Sequence, residues 1–396
     1  MSNLNNIIDQ IQELIKNKKI EWKEIKDVAN FYSGLKSKNK NDFKNGNKKY
    51  IQYNNIFKNN KIDMNNYVGY VKINSNDSQN IVQYNDILIT CTSEKYDEIG
   101  ATSIYLYNDE IYLNTFSKII RINNENINNT FIMYLFHSKW FKNKLLKCTN
   151  GVTRFNLSFD KFKKIQIPIP PLEIQNKIVE ILDNFSNYET ELETELETRT
   201  KQYNYYLNKL LDFSNSSDVE WKEIKDICEI RRGKSITKNY ISNHIGNFPV
   251  YSSQTTNNGT IGYIDTFDLD GEYISWTTDG VYAGTVFYRN EKFNITSHCG
   301  VLKIINNLVI PKYLFYYLKK NLYKYVNNNA SQPMMLKEKL QEIQIPIPPL
   351  ETQNKIVEIL DNFSSLVNDI KDGLPKEIQL RKKQYSYYLN KLLDFK

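Results

Sequence analysis

Only three histidines and four cysteines occur in 396 residues. His137, His244 and His298 stand far apart, and Cys91, Cys148, Cys228 and Cys299 form no Cys-x-x-Cys pair. Transition-metal sites draw on these residue types at close spacing, so neither a metal centre nor a histidine-based catalytic centre is expected. Isolated thiols suit a reducing compartment. Apolar runs are short, as at Phe131–Phe136 and Tyr313–Leu318, whereas a membrane-spanning helix needs roughly 20 such residues. The N-terminus, MSNLNNIIDQIQELIKNKK, lacks the apolar segment and cleavage site of a secretory signal. A cytoplasmic location is the expectation, with no membrane partner.

Catalytic signatures are missing as well. No Asn/Asp-Pro-Pro-Tyr/Phe element for amino methylation occurs, no G-x-G-x-x-G follows a strand, and no G-x-x-x-x-G-K-S/T phosphate loop is present. The chain is therefore expected to bind no cofactor and to catalyse nothing itself.

The remaining composition is that of an ordinary globular protein, 24% charged and 40% hydrophobic. Its length suggests two to three domains. A net charge of +7 permits nucleic-acid binding without requiring it.

Internal repetition organises the chain. Residues 165–186 read IQIPIPPLEIQNKIVEILDNFS, and 343–364 repeat them with one change, Ile174 to Thr352. RTKQYNYYLNKLLDF at 199–213 returns as RKKQYSYYLNKLLDF at 381–395, and EWKEIKD occurs at 21–27 and 220–226. Between these blocks the two halves differ almost completely. A duplicated scaffold with drifted loops would explain the pattern. So would one shared partner at the repeated segments and two different ligands at the divergent ones.

The IPIPP segments cannot be helical, because each proline fixes an extended backbone and restricts the residue before it. From Leu172 the apolar residues recur at helical spacing: Ile174, Ile178, Ile181, Phe185, Tyr188, Leu192, Leu196, Tyr203, Leu207 and Leu210. The spacing predicts a helix of about 40 residues with a coiled-coil seam, interrupted by a stutter after Phe185. The C-terminal copy is its expected antiparallel partner. Gly373-Leu374-Pro375 should bend or break that copy, which carries four more residues between its repeated blocks than the first (364 to 381 against 186 to 199).

The expected organisation is a helical segment over 1–19, a mixed domain over 20–164 and a helical spacer over 165–218. A second mixed domain follows over 219–342, then a second spacer over 343–396. The fold class is α+β: two mixed domains separated by long antiparallel coiled-coil helices, with pseudo-two-fold symmetry. Both mixed domains alternate β-branched and aromatic residues with turn residues, then become helical near 130–146 and 311–328.

The first mixed domain opens with Lys36, Lys38, Lys40, Lys44, Lys48 and Lys49; the second opens with Arg231, Arg232, Lys234 and Lys238. A solvated loop would explain either cluster. Their matching positions after EWKEIKD favour phosphate contacts, which give sequence-independent affinity. Base reading needs donors and acceptors on loops that reach a groove. Candidates are Thr92, Ser93, Glu94, Thr153, Arg154 and Asn156 in the first domain, and Ser253, Gln254, Thr278, Asp279 and Gln332 in the second. Alignment on IPIPP sets Arg154 opposite Gln332, residue types that suit guanine and adenine.

The paired IPIPP helices, the preceding GVTRFNLS, the W-K-x-I-K-D start of each domain, NDILITCTSEKYDEIGA and GNFPVYSSQTTNNGTIGYIDTF together resemble the specificity subunit of type I restriction-modification systems. The resemblance covers nearly the whole chain. It implies a DNA-recognition subunit in which each mixed domain reads half of a bipartite, asymmetric double-stranded site. It also implies that the helices set the spacing and dock two methyltransferase subunits, with restriction subunits joining that core. A scaffold that binds only proteins, and a methyltransferase acting alone, are the competing readings. The basic, turn-rich domains argue against the first, and the missing motifs against the second.

Overall fold

The computed structural model describes residues 2–17, 20–214, 216, 219–328, 332–368 and 373–395. The chain divides into two units, Met1–Glu191 with Ile378–Lys396, and Leu192–Glu377.

Both units are built to one plan. In the first, Glu21–Glu24 pairs antiparallel with Gln166–Ile169, setting Trp22 opposite Pro168. In the second, Glu220–Glu223 pairs with Gln344–Ile347 in the same register, Trp221 opposite Pro346. A two-stranded ribbon tolerates these prolines because it leaves one edge of each strand unpaired.

The repeated ribbon leads into sheets of equal order. In the first unit the order is Ala29–Ser33, Ser117–Ile122, Ile87–Thr90, Thr102–Ile104. In the second it is Cys228–Arg232, Cys299–Ile304, Leu269–Thr277, Val286–Ile295, and that sheet continues into Ile245–Tyr251 and Thr260–Ile264. A parallel pairing also recurs: Tyr50 opposite Tyr112, and Val250 opposite Asn294. The divergent halves thus share a core strand order, although the first unit splits its strands into two four-stranded sheets where the second has one six-stranded sheet.

Helices cover each sheet. The stretch expected to be helical near 130–146 forms two helices, Asn129–His137 and Lys139–Leu146. Ser138 separates them: its backbone is extended and its side chain accepts from Phe141 N, capping the second helix. Pro311–Asn321 begins with proline at the first helical turn, where its missing N–H costs nothing. It ends sooner than the expected 328, passing into a tighter turn at Leu322–Tyr325.

The central helix spans Leu172–Leu210, 39 residues, or roughly 60 Å. Gln175 and its repeat Gln353, both fully buried, hold the two copies of the helix entry identically. Gln175 Nε2 donates to Pro170 O at 2.7 Å and its Oε1 accepts from Asn128 N at 2.8 Å. Gln353 Nε2 donates to Pro348 O at 2.8 Å and its Oε1 accepts from Ile310 N at 2.9 Å. Ile174, Ile178, Leu192, Tyr203 and Leu207 are buried as the seam requires. Leu182, absent from the expected seam, is fully buried, while Ile181, Phe185 and Tyr188 line an open apolar cavity of about 610 Å³.

The C-terminal segment forms two helices, Leu350–Asn368 and Leu374–Leu392, divided around Gly373 as expected; 369–372 lie outside the described residues. The segment expected at 1–19 is a helix over Ser2–Asn17. It buries Ile8, Ile11 and Ile15 and docks on the last helix: Gln12 Nε2 donates to Lys391 O at 3.0 Å, and Lys391 pairs with Asp9 at 2.9 Å. No helix among the described residues is long and apolar enough to cross a membrane.

Candidate nucleic-acid interface

In the first unit a three-stranded ribbon joins two distant candidate segments. Thr92–Ser93 pairs with Phe155–Leu157, which pairs with Thr149–Asn150, so that Asn156 faces Thr92 on one side and Asn150 on the other. Thr92 Oγ1 donates to Asn156 Oδ1 at 2.9 Å. Ser93 is buried and donates to Glu98 Oε2 at 3.0 Å, so it shapes the turn that exposes Glu94.

Gly151 makes the connecting turn with φ +117°, and a Cβ there would lie 2.1 Å from Arg154 O. Only glycine suits that combination. The turn lifts Val152, Thr153 and Arg154 into solvent, Val152 to 88% exposure. Arg154 lies over the Phe116 ring at 5.3 Å. Phe116 in turn walls a cavity of about 440 Å³ shared with Lys38, Lys40, Gln52 and Tyr53. One face therefore collects lysine-rich and base-reading candidates.

The lysine cluster is less free than its sequence implies. Lys38 Nζ lies 2.5 Å from Asp77 with its side chain 5% exposed, and Lys48 pairs with Glu110 at 2.8 Å. Both acids come from distant segments. Lys36, Lys40, Lys44 and Lys49 stay exposed, and the Lys36 backbone is clamped in both directions by the Gln79 side chain.

In the second unit Arg231 and Arg232 end the edge strand, exposed. Arg232 Nη2 donates to Ser297 O at 3.2 Å and lies 3.4 Å from Thr278 Oγ1. Thr278 is buried and donates to Asp279 Oδ1 at 2.7 Å. Met335 N donates to Thr278 O at 2.7 Å and Gly280 N to Pro333 O at 3.0 Å, pairing the segment just after exposed Gln332 with Thr278–Gly280. Gly280, with φ +91°, exposes Val281 to 84%. Lys234 pairs with Asp268 at 2.8 Å.

The Ser253 and Gln254 loop approaches the same region. Gln254 donates to Thr260 O, and neighbouring Ser252 accepts from Thr296 Oγ1 at 2.9 Å. Arg289 braces this loop from below. It is buried between Tyr251 and Phe287, and its Nη2 donates to Asn258 O at 2.8 Å. Desolvation lowers its pKa.

Phe116, Arg289 and His298 were not among the expected site residues. Phe116 and His298 lie in turns and Arg289 inside a strand, and none carries a sequence signal of its surroundings; the sequence points to the histidines only as candidate metal ligands or catalytic groups, which it disfavours. No cluster of His, Cys, Asp or Glu among the described residues could hold a metal ion.

A family model for the type I restriction modification DNA specificity domain matches this chain twice, over residues 17–202 and 216–380. The chain belongs to that family. It is 47% identical to the putative type I specificity subunit S.MpnORF365P of Mycoplasma pneumoniae over 247 residues, covering 61% of this chain and 90% of that protein. It is 49% identical over 204 residues to the MpnII specificity subunit of the same organism, half of this chain and 62% of that one. The fold is similar to that of the S subunit crystal structure from M. genitalium, with a TM-score of 0.63 at 16% identity, covering 95% of this chain and 96% of that one. As a type I specificity subunit the chain serves DNA recognition in a restriction-modification system, and the catalytic chemistry lies in other subunits.

Proposed function

We propose that each mixed domain reads one half of a bipartite, asymmetric double-stranded DNA site, and that the repeated segments bind two copies of one methyltransferase subunit. One observation carries this reading. The two domains share core strand order and ribbon register while their exposed tips differ, and the repeated blocks preserve both sequence and side-chain contacts. Two different tips suit two different half-sites; two equal surfaces suit the same partner twice.

On the tips, Arg154, Thr153, Glu94 and Asn156 serve the first half-site, and Gln332, Asp279, Arg231 and Arg232 the second. Exposed Lys36 and Lys40 contact phosphates and add affinity without specificity. Lys38, Ser93 and Thr278 hold the reading loops in place. Restriction subunits join the same core, in the cytoplasm.

A gel-shift titration of the purified chain, with and without its methyltransferase, on duplexes chosen by mapping methylated bases in the host tests the reading. The expected result is a sequence-specific complex containing two methyltransferase copies per chain and no methyl transfer by the chain alone. A scaffold for proteins alone predicts no specific shift, and a methyltransferase acting alone predicts turnover without any partner.

A further inference from the structure

The proposed reading of the second half-site makes Asp279 a contact to DNA, yet both of its carboxylate oxygens are already engaged. Oδ1 accepts from Thr278 Oγ1 at 2.7 Å, and Oδ2 lies 2.7 Å from His298 Nδ1. Asp279 is 16% exposed at the side chain, His298 57%. The imidazole, not the carboxylate, is the group offered to solvent.

The ring is held on a braced turn. Cys299 N donates to Thr296 O at 2.9 Å, closing a four-residue turn, and His298 N lies 3.3 Å from Thr296 Oγ1. Thr278 N donates to His298 O at 3.0 Å, tying that turn to the segment that carries Asp279. Arg232 reaches the same turn through Ser297 O. The carboxylate accepts from Nδ1–H and so fixes the ring orientation and which nitrogen remains available. Nε2 is then the ring nitrogen left for a ligand, on a side chain that is 57% exposed.

From this geometry we infer that His298 is a specificity-determining residue that reads one base edge through Nε2, and that Asp279 is its positioning residue. The inference rests on the second domain being a DNA reader. With Nδ1–H given to Asp279, the lone pair on Nε2 is an acceptor, and in the major groove it suits an exocyclic amino group, adenine N6 or cytosine N4. That contact makes His298 selective at a single base pair.

The test uses the full chain with its methyltransferase subunits and duplexes bearing each single base-pair replacement in the half-site of the second domain. His298→Ala should lose about tenfold in discrimination at one base pair and leave the others unchanged. Asp279→Ala should relax the same base pair, and the double variant should be no worse than His298→Ala alone. His298→Gln, which keeps a polar atom near the same place, should recover part of the loss. Unchanged discrimination at the other base pairs of the second half-site shows that the variants fold. If Asp279→Ala relaxes a base pair that His298→Ala leaves intact, Asp279 reads directly and the inference fails. Equal weakening on every duplex would make His298 a phosphate contact and also overturn it. A wild-type complex without sequence preference would instead remove the parent reading.

Discussion

Phe185 stacks on Tyr388, ring centroids 5.2 Å apart and planes 27° apart. The pair joins the first IPIPP helix to the second copy of the KQY-x-YYLNKLLDF block. Its mirror lies in the other unit, where Phe363 stacks on Tyr206 at 5.2 Å and 25°. Each copy of one block thus packs on the other copy of the second block. Tyr134 and Tyr316 repeat the scheme, donating to Asp183 and Asp361, each at 2.7 Å. Near Phe185 the helices run antiparallel, since Tyr188 meets Arg381 and Glu189 meets Lys382.

Removing either stack should weaken only its own unit. Phe185→Ala is expected to cost about 2 kcal/mol, since the ring is half-buried and its loss leaves a partly filled gap. Phe363→Ala should cost a similar amount. Hydrogen exchange resolved along the chain checks this; a loss of protection spread equally over both units after one substitution counts against it.

Stability should also fall as the solution is acidified through the range of His137. Its Nε2 lies 2.8 Å from Thr102 O, and burial, with Lys142 adding to it, lowers the imidazole from 6.5 to about 4. Between those values the unfolded chain takes up a proton that the folded chain refuses. The contribution is complete above 6.5 and is lost as pH falls toward 4, up to about 3 kcal/mol. His137→Asn should flatten this part of the pH dependence. Urea midpoints for both proteins at about pH 7.5 and about pH 4.5 decide it, and parallel declines would reject the assignment.

Arg154 should control one half-site. Arg154→Ala is expected to relax discrimination there by about 1–3 kcal/mol if the guanidinium makes a bidentate base contact. Exchanging residues 20–164 for the corresponding domain of a relative should change the same half alone. Competition binding on mapped sites provides the measurement. A uniform loss across sequences would place Arg154 on phosphate.

The helices should set the gap between half-sites. Four inserted residues add about 6 Å and about 40° of turn to a helix, close to two base-pair rises, though two base pairs rotate the groove by roughly 70°. An insertion of four residues near Glu195, mirrored by one near Lys371, is expected to lengthen the preferred spacer and leave both half-sites unchanged. Methylation mapping reads the outcome. An active variant that keeps the original spacer makes the helices a docking surface and no ruler.

The repeats, the prolines and the apolar spacing by themselves determined the two mixed domains, the long central helix and the division near Gly373. These are local signals: a proline restricts its own backbone and an amphipathic period needs no distant partner. The lysine cluster shows where such reading stops. Only the tertiary structure brought Asp77 to Lys38 and Glu110 to Lys48, Asn156 to Thr92, and His298 to Asp279. It also decided that Tyr388, which follows the second IPIPP helix in sequence, packs on the first. Those choices depend on strand pairing and packing between segments tens to hundreds of residues apart, and side-chain polarity alone does not encode which charge finds which partner.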